Sequence, residues 1–327
     1  MGRKLDAVVV TGGAGFIGSA TCEVLLSNDV ANEVVIIDNL SSGSLSNVEY
    51  LMNRFKGRLK LLVADVRDFS KLWELLQDLR GASVGIIHLA AMINIEEVRE
   101  RPYEAIDINM GGTVNTLELA RKLDAERFVL ASSVAVYGEP KYVPINEEHP
   151  TNPINLYGLT KLFSEHLLWR YYEDYKLSVI ALRYFNVYGP RMRPGPYAGV
   201  VYKFITTLLR GEQPVIYGDG EQTRDFIYVY DVAEANAKAL NSPYVGPVNI
   251  GSGEEVSIND LYRIIIKLIG KYIPPKYGPM RPGDVRRSRA YIDRATKVLS
   301  WSPKTPLIKG LKETIEYYLK LLRQTNT

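Results

Sequence analysis

Residues Thr11–Gly18 read TGGAGFIG, and this turn decides the fold of the 327-residue chain. The apolar run Ala7–Val10 precedes the turn, and Ile17–Leu26 follows it with the pattern of a helix. Glycine lets the backbone turn tightly and approach a pyrophosphate, and the helix N-terminus offers free N–H groups to the phosphates. The residues predicted to form this cradle are Gly12, Gly15, Phe16, Ile17 and Gly18. The alternative is an ordinary tight turn between a strand and a helix.

An acidic residue follows the second apolar run, Glu33–Ile37. Asp38 lies 20 residues after Gly18 (38 − 18). A carboxylate at this point can accept both hydroxyls of a ribose and would repel the extra phosphate of NADP, so the sequence favours NAD as the cofactor. Asn39 follows Asp38 directly and is assigned to the same site.

A second acid, Asp65, follows the run Leu59–Val63, with Val66 directly after it. Asp65 is a candidate for binding the adenine amine, and Val66 for the same pocket. The alternative for Asp65 is a turn residue at the end of a strand, and the two interpretations carry similar weight.

Short apolar runs alternate with helical patterns through the first half of the chain. Further runs are Val84–His88, Phe128–Ala131 and Val179–Arg183, with helical patterns over Thr113–Leu123 and Tyr157–Tyr175. Continuous apolar strands separated by helices indicate an α/β fold, a Rossmann-type doubly wound parallel sheet covered on both faces. Ligands bind at the carboxyl ends of strands in such sheets.

The alternation of apolar runs and helical patterns ends at about residue 186, where prolines and glycines interrupt it. We interpret residues 1–185 as an NAD-binding domain and residues 186–327 as a smaller C-terminal α/β domain for the substrate. The runs Phe226–Val229 and Val248–Ile250 are candidates for strands that return to the first domain.

Composition excludes several classes of protein. The net charge of +3 gives no reason to expect a nucleic-acid partner, and a run of arginines is by default a solvated face. That run comprises Arg281, Arg286, Arg287 and Arg289. No stretch is long enough to cross a membrane. Scarce glutamine beside abundant Lys, Arg, Glu and Tyr favours a thermophilic source.

Cysteine and histidine usage bounds the chemistry. Cys22 is the only cysteine, so no intrachain disulfide can form and a cytoplasmic location is expected. The three histidines, His88, His149 and His166, lack metal-ligand spacing, so no metal site is expected.

Tyr157 and Lys161 stand four residues apart, which places both side chains on one face of a helix. Ser133 ends a strand that should lie beside this helix. A Tyr hydroxyl titrates near 10, and a neighbouring ammonium and a nicotinamide cation would both favour the phenolate. Lowering the pKa by about three units needs roughly 4 kcal/mol. Such a pair also occurs by chance on many helices, so its context matters.

With these motifs, the sequence resembles the extended short-chain dehydrogenase/reductase family, and within it the nucleotide-sugar epimerases. The further stretches that carry the resemblance are Asp38–Leu40, His88–Ala91, Asn109 before Gly112-Thr113, Ser132–Gly138, Arg183–Pro190, Gly218–Gly220, Arg224–Phe226 and Arg281–Asp284. Together they extend from the glycine turn to about Trp301.

The resemblance implies a role for each matching residue. Tyr157 is expected to be the base, Lys161 to bind the nicotinamide ribose and lower the Tyr157 pKa, and Ser133 to hold the substrate oxygen. Further cofactor contacts are implied for Leu89, Ala90, Ala91 and Asn109. Contacts to a UDP-sugar are implied for Asn186, Val200, Tyr217, Arg224, Arg281 and Asp284. Arg224 and Arg281 are expected to grip the diphosphate, Asp284 to fix the nucleotide ribose, and Tyr217 to stack on the base.

Departures from the family pattern narrow the implied reaction. Val134-Ala135 follow Ser133, where dehydratases and decarboxylases of the family carry carboxylates. The expected reaction is therefore NAD-dependent 4-epimerisation of a UDP-hexose through a transient 4-keto sugar. Ser288 stands where some 4-epimerases carry a bulky Tyr, which leaves room for an N-acetyl group. UDP-glucuronate 4-epimerisation and a non-catalytic NAD(H)-binding regulator are the alternatives.

The helix predicted over Tyr157–Tyr175 carries more apolar residues than one face needs. Part of this surplus is expected to pack on a second copy of the chain, as in the homodimers of the family. A wholly buried helix would show the same pattern.

Overall fold

A seven-stranded parallel sheet forms the centre of the molecule. The structure is a computed structural model that describes residues 3–192, 194–195, 198–280 and 283–325. The strands of the sheet are β1 (Leu5–Thr11), β2 (Ala31–Asp38), β3 (Leu59–Val63), β4 (Val84–His88), β5 (Arg127–Ser133), β6 (Val179–Tyr184) and β11 (Pro247–Ile250). Their order is β11-β6-β5-β4-β1-β2-β3. The chain changes direction across the sheet between β1 and β4, which is where doubly wound sheets open a binding crevice.

Helices flank this sheet and build the smaller part of the molecule. They are α1 (Phe16–Ser27), α2 (Glu49–Arg54), α3 (Phe69–Leu76), α4 (Ile95–Glu100), α5 (Pro102–Ile106), α6 (Gly112–Leu123), α7 (Leu156–Tyr175), α8 (Val200–Leu209), α9 (Val229–Ala239), α10 (Ile258–Ile269), α11 (Asp293–Leu299) and α12 (Leu307–Thr325). Of these, α1, α2, α9 and α11 pack on one face of the sheet, and α3, α6 and α7 pack on the other. A π-helical turn over Asp107–Gly111 joins α5 to α6. The predicted doubly wound α/β fold is thereby confirmed.

The alternation of side chains along β1 shows why both faces are apolar. Val8 and Val10 pack in one core cluster with α1 and α9, whereas Ala7 and Val9 pack in the opposite cluster with α3, α6 and α7. A strand buried on both sides must be apolar at every position, which is why the strands read as continuous apolar runs.

The smaller part of the molecule has its own core. Its strands are β7 (Asn186–Tyr188), β8 (Val215–Tyr217), β9 (Thr223–Arg224), β10 (Phe226–Tyr228), β12 (Val256–Ser257) and β13 (Lys276–Gly278), which form three two-stranded sheets. A third apolar cluster joins α8, α10 and α12.

The two runs expected to return to the first domain behave differently. Pro247–Ile250 joins the central sheet beside β6, and α9 packs against α1. Phe226–Tyr228 pairs with Asn186–Tyr188 outside the central sheet, although Ile227 packs in the core cluster of that sheet. Its assignment to the first domain remains a prediction. The division at residue 185 remains a prediction.

Two members of the predicted arginine run lie on the surface. Arg286 pairs with Asp219 at 2.8 Å and Arg287 with Glu255 at 2.8 Å. Within the ranges given above, no helix has the length and hydropathy to span a bilayer. The same residues contain no group of three or more His, Cys, Asp or Glu side chains that could bind a metal ion. The cytoplasmic location remains a prediction.

Candidate active site at the carboxyl ends of the strands

The glycine turn lies where β1 meets β4. Gly12 has a φ of 67°, and a Cβ there would lie 2.8 Å from the backbone nitrogen of Ala90. At Gly18 a Cβ would lie 2.1 Å from the carbonyl oxygen of Gly12. Gly15 caps α1 without a side-chain hydrogen bond, and the first turn carries no acid. These glycines pack backbone on backbone and leave the helix N-terminus able to take an anion.

Asp38 is held at the end of β2. Its Oδ2 accepts a hydrogen bond from the Ala14 N–H at 2.9 Å, and its Oδ1 accepts one from the Leu40 N–H at 2.8 Å. Burial raises the pKa of this carboxyl above its usual value, and the two N–H donors partly offset the effect. The carboxylate is therefore fixed beside the glycine turn, as the sequence predicts.

Asp65 is engaged by protein donors. Arg67 donates to Oδ1 through Nε at 2.9 Å and to Oδ2 through Nη2 at 2.8 Å, and Asn39 donates to Oδ2 at 2.8 Å. The hydrogen bonds from Arg67 come first among the causes that lower the Asp65 pKa to about 2. This geometry supports the strand-end turn interpretation, since an adenine amine would have to displace one of these donors. Val66 is buried beside it, and its carbonyl accepts from Asn115 at 2.9 Å.

The backbone after β4 lines the crevice opposite the glycine turn. The Leu89 N–H donates to the Thr11 carbonyl at 3.1 Å, and the Ala90 N–H donates to the Thr11 hydroxyl at 3.3 Å. His88, buried below, bonds Thr11 Oγ1 through Nδ1 at 2.7 Å. Burial lowers the His88 pKa to about 3, so this ring is neutral and structural. The segment Leu89–Ala91 thus approaches the predicted cofactor crevice.

Asn109 is engaged by protein partners. Its Oδ1 accepts from the Met92 N–H at 2.7 Å, and its Nδ2 donates to the Met92 carbonyl at 2.9 Å and to Thr160 Oγ1 at 3.0 Å. These protein partners take both amide N–H groups, and the predicted cofactor contact of Asn109 remains a prediction. Asn109 braces the segment after β4 against α7, and the π-helical turn aims it there.

Ser133 and Tyr157 are brought together by β5 and α7. Ser133 ends β5, and its hydroxyl accepts from the Ala135 N–H at 3.2 Å and lies near enough to the Tyr157 hydroxyl to lower the Tyr157 pKa. Asn155 caps α7 by accepting from the Gly158 N–H at 2.8 Å. A Cβ at Gly158 would lie 2.5 Å from the Ala135 carbonyl oxygen, so only glycine lets the helix approach this closely. The sequence predicts this pair, and the geometry agrees with it.

Lys161 lies one turn further along α7 and is buried. Its Nζ lies 6.0 Å from the centre of the Tyr157 ring and donates to the Ala131 carbonyl at 2.9 Å. Burial lowers the Lys161 pKa to about 8. Burial also raises the Tyr157 pKa, although the nearby Ser133 hydroxyl opposes it. The Lys161 ammonium is turned towards β5, and its lowering of the Tyr157 pKa remains a prediction.

The predicted substrate residues converge near β7, β9 and β10. The backbone and side-chain amides of Asn186 donate to the Asp225 carbonyl at 3.0 Å and 3.3 Å. The Arg224 guanidinium donates to the Val285 carbonyl at 2.6 Å and contacts Asp284, and burial lowers its pKa. Arg224 and Asp284, expected to bind different groups of the nucleotide, thus form an ion pair with each other.

The remaining predicted substrate residues belong to other segments of the chain. Val200 begins α8, whose N-cap Gly199 provides no side-chain hydrogen bond, and Tyr217 ends β8. Arg281 lies outside the described residues. Ser288 is 4% exposed, and its hydroxyl has no hydrogen-bond partner among the residues that the structure describes.

Asp225 is an organising residue that the sequence motifs did not single out. Its buried carboxylate accepts from the Ser252 N–H at 2.6 Å, the Gly253 N–H at 2.9 Å and the Ala290 N–H at 3.0 Å. Asp225 therefore joins β10, the segment after β11 and the segment that carries Ser288. Its position in the Arg224–Phe226 motif was the available signal.

A doubly wound sheet with an open glycine turn, a strand-end acid and a Ser-Tyr-Lys set defines an enzyme of the short-chain dehydrogenase/reductase class. Residues 9–314 match the family model described as GDP-mannose 4,6 dehydratase, and the chain belongs to this family. Within the class it is an isomerase of the nucleotide-sugar epimerase type.

Several similar proteins are epimerases by name. UDP-glucose 4-epimerase of Mycolicibacterium smegmatis is 37% identical over 95% of this chain and 97% of its own. Among solved structures, UDP-N-acetylglucosamine 4-epimerase of Methanobrevibacter ruminantium M1, in complex with UDP-N-acetylmuramic acid, has a TM-score of 0.90 and 36% identity, and the match covers 98% of this chain and 100% of that one.

Two further structures come from heat-loving bacteria. UDP-glucose 4-epimerase of the hyperthermophile Thermotoga maritima, with UDP-glucose, has a TM-score of 0.90 and 36% identity over 97% of this chain and 99% of that one. UDP-glucose 4-epimerase of Thermus thermophilus, complexed with NAD, has a TM-score of 0.86 and 34% identity over 96% of this chain and 99% of that one. These relatives agree with the thermophilic composition.

Proposed function

We propose that this protein catalyses NAD-dependent 4-epimerisation of a UDP-hexose, either UDP-glucose/UDP-galactose or their N-acetylated forms. The observation that carries the proposal is the placement of Ser133 at the end of β5 near Tyr157 in the first turn of α7, with the Lys161 ammonium 6.0 Å from the Tyr157 ring centre. The relatives that act on UDP-sugars support the substrate class.

The residues of the crevice fit NAD. Gly12 and Gly18 have no room for a Cβ, so the turn packs tightly against the backbone after β4 and against itself. The uncapped start of α1 suits the pyrophosphate, and Asp38 suits a ribose with two free hydroxyls rather than a 2′-phosphate. When bound, NAD would accept a hydride from the sugar carbon and return it, and its ring would add a positive charge near Tyr157.

The residues of the chain then have distinct tasks. Tyr157 takes the proton of the sugar 4-hydroxyl and later returns one, while Ser133 holds the same oxygen through its hydroxyl. We assign the binding of the nicotinamide ribose to Lys161. For this contact its ammonium must turn away from the Ala131 carbonyl. Because burial raises the Tyr157 pKa, deprotonation of Tyr157 depends on positive charge brought close to it.

The diphosphate must stay anchored while the keto sugar turns its other face to the cofactor. We assign this grip to Arg224 and Arg281, with Asn186 and the start of α8 at Val200 as further contacts. Arginine suits the task because its planar fork matches phosphate oxygens. The contact of Arg224 with Asp284 fixes the guanidinium in advance, and Asp284 would also reach the nucleotide ribose beside Tyr217.

Incubation of the purified protein with UDP-glucose, UDP-N-acetylglucosamine and UDP-glucuronate in separate reactions, without added NAD, tests the proposal. We expect C4 inversion of the first two sugars, read by NMR. Inversion of UDP-glucuronate alone would replace the proposed substrate, and failure of all three despite bound NAD would refute the activity.

The size of residue 288 is expected to set the range of sugars. The variant Ser288→Tyr would place a phenol where a buried hydroxyl has no hydrogen-bond partner among the described residues. We expect kcat/KM for UDP-N-acetylglucosamine to fall by at least about tenfold, with UDP-glucose turnover nearly retained. Ser288→Ala is the matched control and should leave both substrates within about twofold, since the hydroxyl it removes makes no hydrogen bond. Equal losses for both substrates in Ser288→Tyr would show that residue 288 does not face the N-acetyl group.

We also propose a homodimer that uses α7. Leu159 and Phe163 lie one turn apart on this helix and are 52% and 38% exposed, and Tyr175 is 54% exposed. Such apolar side chains on a 20-residue helix are typical of an interface. We expect sedimentation to give twice the chain mass, and Phe163→Lys to give the monomer. A monomeric unmodified protein would refute the proposal.

A further inference from the structure

Helix α7 meets strand β5 through a regular series of contacts. Tyr157, Lys161 and Glu165 recur every four residues and lie on one face of the helix. They face three consecutive strand residues: Tyr157 lies near Ser133, Lys161 Nζ donates to the Ala131 carbonyl at 2.9 Å, and Ser132 Oγ donates to Glu165 Oε1 at 2.5 Å. Glu165 is the member of this series to which the proposed reaction assigns no task.

Glu165 forms a buried ion pair with Arg183 at the end of β6. Arg183 donates through Nε to Oε1 at 2.9 Å and through Nη2 to Oε2 at 2.6 Å. The Glu165 and Arg183 side chains are 1% and 5% exposed. Arg183 also donates to the Tyr137 hydroxyl at 2.9 Å. Burial of two charges is costly, and replacement of such pairs by apolar groups is often neutral or stabilising, so stability alone is a weak reason for this pair.

The groups around Lys161 include neutral side chains and one pair of opposite charges. His88 faces it from β4 and is neutral, while Tyr157 from α7 and Tyr184 from β6 are uncharged phenols at neutral pH. Among the described residues, Glu165 is the one whose negative charge raises the Lys161 pKa against the larger lowering by burial. Arg183 brings a positive charge to the same region.

We propose that Glu165 is a positioning residue for the epimerisation, which fixes α7 against the end of β5 and supplies the negative charge that keeps the Lys161 ammonium protonated. Arg183 orients the Glu165 carboxylate through two hydrogen bonds, and its positive charge partly offsets the negative charge of Glu165. The inference rests on the proposed roles of Tyr157 and Lys161.

Three variants separate a charge effect from a purely structural one. Glu165→Gln keeps an acceptor for Ser132 but removes the negative charge and leaves Arg183 positive, so the Lys161 pKa should fall by about one unit or more. Arg183→Met removes the positive charge and leaves Glu165 negative, so the Lys161 pKa should rise. The double variant removes both charges and should return the Lys161 pKa close to its original value.

The Lys161 pKa can be measured without turnover. The full-length protein is produced with lysine carrying carbon-13 at Cε, the Lys161 resonance is assigned by its loss in Lys161→Met, and its shift is followed against pH by NMR. Opposite displacements in the two single variants support the proposal. Displacements in the same direction, no displacement, or a double variant as displaced as either single would overturn it. If Glu165→Gln does not fold, Arg183→Met and the double variant decide between the same outcomes.

The pH profile of kcat gives the second readout. Its alkaline limb, where Lys161 loses its proton, should move to lower pH in Glu165→Gln and to higher pH in Arg183→Met. If the NMR displacements are opposite but the unmodified protein shows no epimerisation, the proposed function fails and the electrostatic role of Glu165 stands. If epimerisation is present and the displacements are not opposite, the inference fails alone.

Discussion

Tyr157→Phe should lose most of its epimerase activity while the protein stays folded. The change removes the phenolic hydroxyl that lies near Ser133. A positioned acid–base group contributes about 100- to 10,000-fold to the rate, so kcat should fall within that range. We expect NAD content and UDP affinity to be unchanged, measured by absorbance after extraction and by calorimetry, because the predicted contacts of Asp38 and Arg224 are intact.

Tyr172→Phe is the matched control for this variant, since it makes the same chemical change on the same helix at an exposed position. Its kcat should stay within about twofold of the unmodified protein, as expected for a surface substitution. Near-normal turnover in Tyr157→Phe would show that another group is the base. Equal losses in both variants would indicate damage to α7 instead.

Gly18→Ala should produce a protein that no longer retains NAD. A Cβ at this position would lie 2.1 Å from the Gly12 carbonyl oxygen and 2.6 Å from the Gly13 Cα, and neither backbone atom can move without opening the turn. We expect NAD affinity to fall at least tenfold, which is about 1.4 kcal/mol, and the melting temperature to fall by several degrees.

Gly199→Ala is the corresponding control. Gly199 lies at the start of α8 as Gly18 lies near the start of α1, has φ −63°, and a Cβ there would meet nothing within 4 Å. Its NAD content and melting temperature should match those of the unmodified protein. Stoichiometric NAD in Gly18→Ala would show that the cofactor does not depend on the closeness of this turn.

The sequence is most informative where one local rule determines the structure. Apolar runs predicted Leu59–Val63 and Val84–His88 with the bounds that the structure has. Val84–His88 is buried throughout, as expected for a strand covered on both faces, whereas Leu59–Val63 is an edge strand with Lys60 and Val63 exposed. The glycine turn, Asp38 and the pair of Tyr157 and Lys161 were predictable for a similar reason. Each depends on spacing within one strand, one turn or one helix.

Contacts between distant segments could not be predicted from spacing. Asn109 looks like a ligand, but a π-helical turn aims it at Met92 and Thr160. The Lys161 ammonium was expected to lie near the Tyr157 hydroxyl, yet it donates to the Ala131 carbonyl of β5. Arg224 and Asp284 lie 60 residues apart and form a pair. In each case the competing partner comes from another element of the fold.

The edge position of β11 makes the two parts of the chain inseparable in practice. A truncated protein ending at residue 185 would lack both β11 and α9. Strand β6 would then present an unpaired row of amides, and the apolar face of α1 would be exposed to water, both of which promote aggregation. Circular permutation or fusion that keeps residues 229–250 attached is therefore the workable route for building chimeric enzymes on this scaffold.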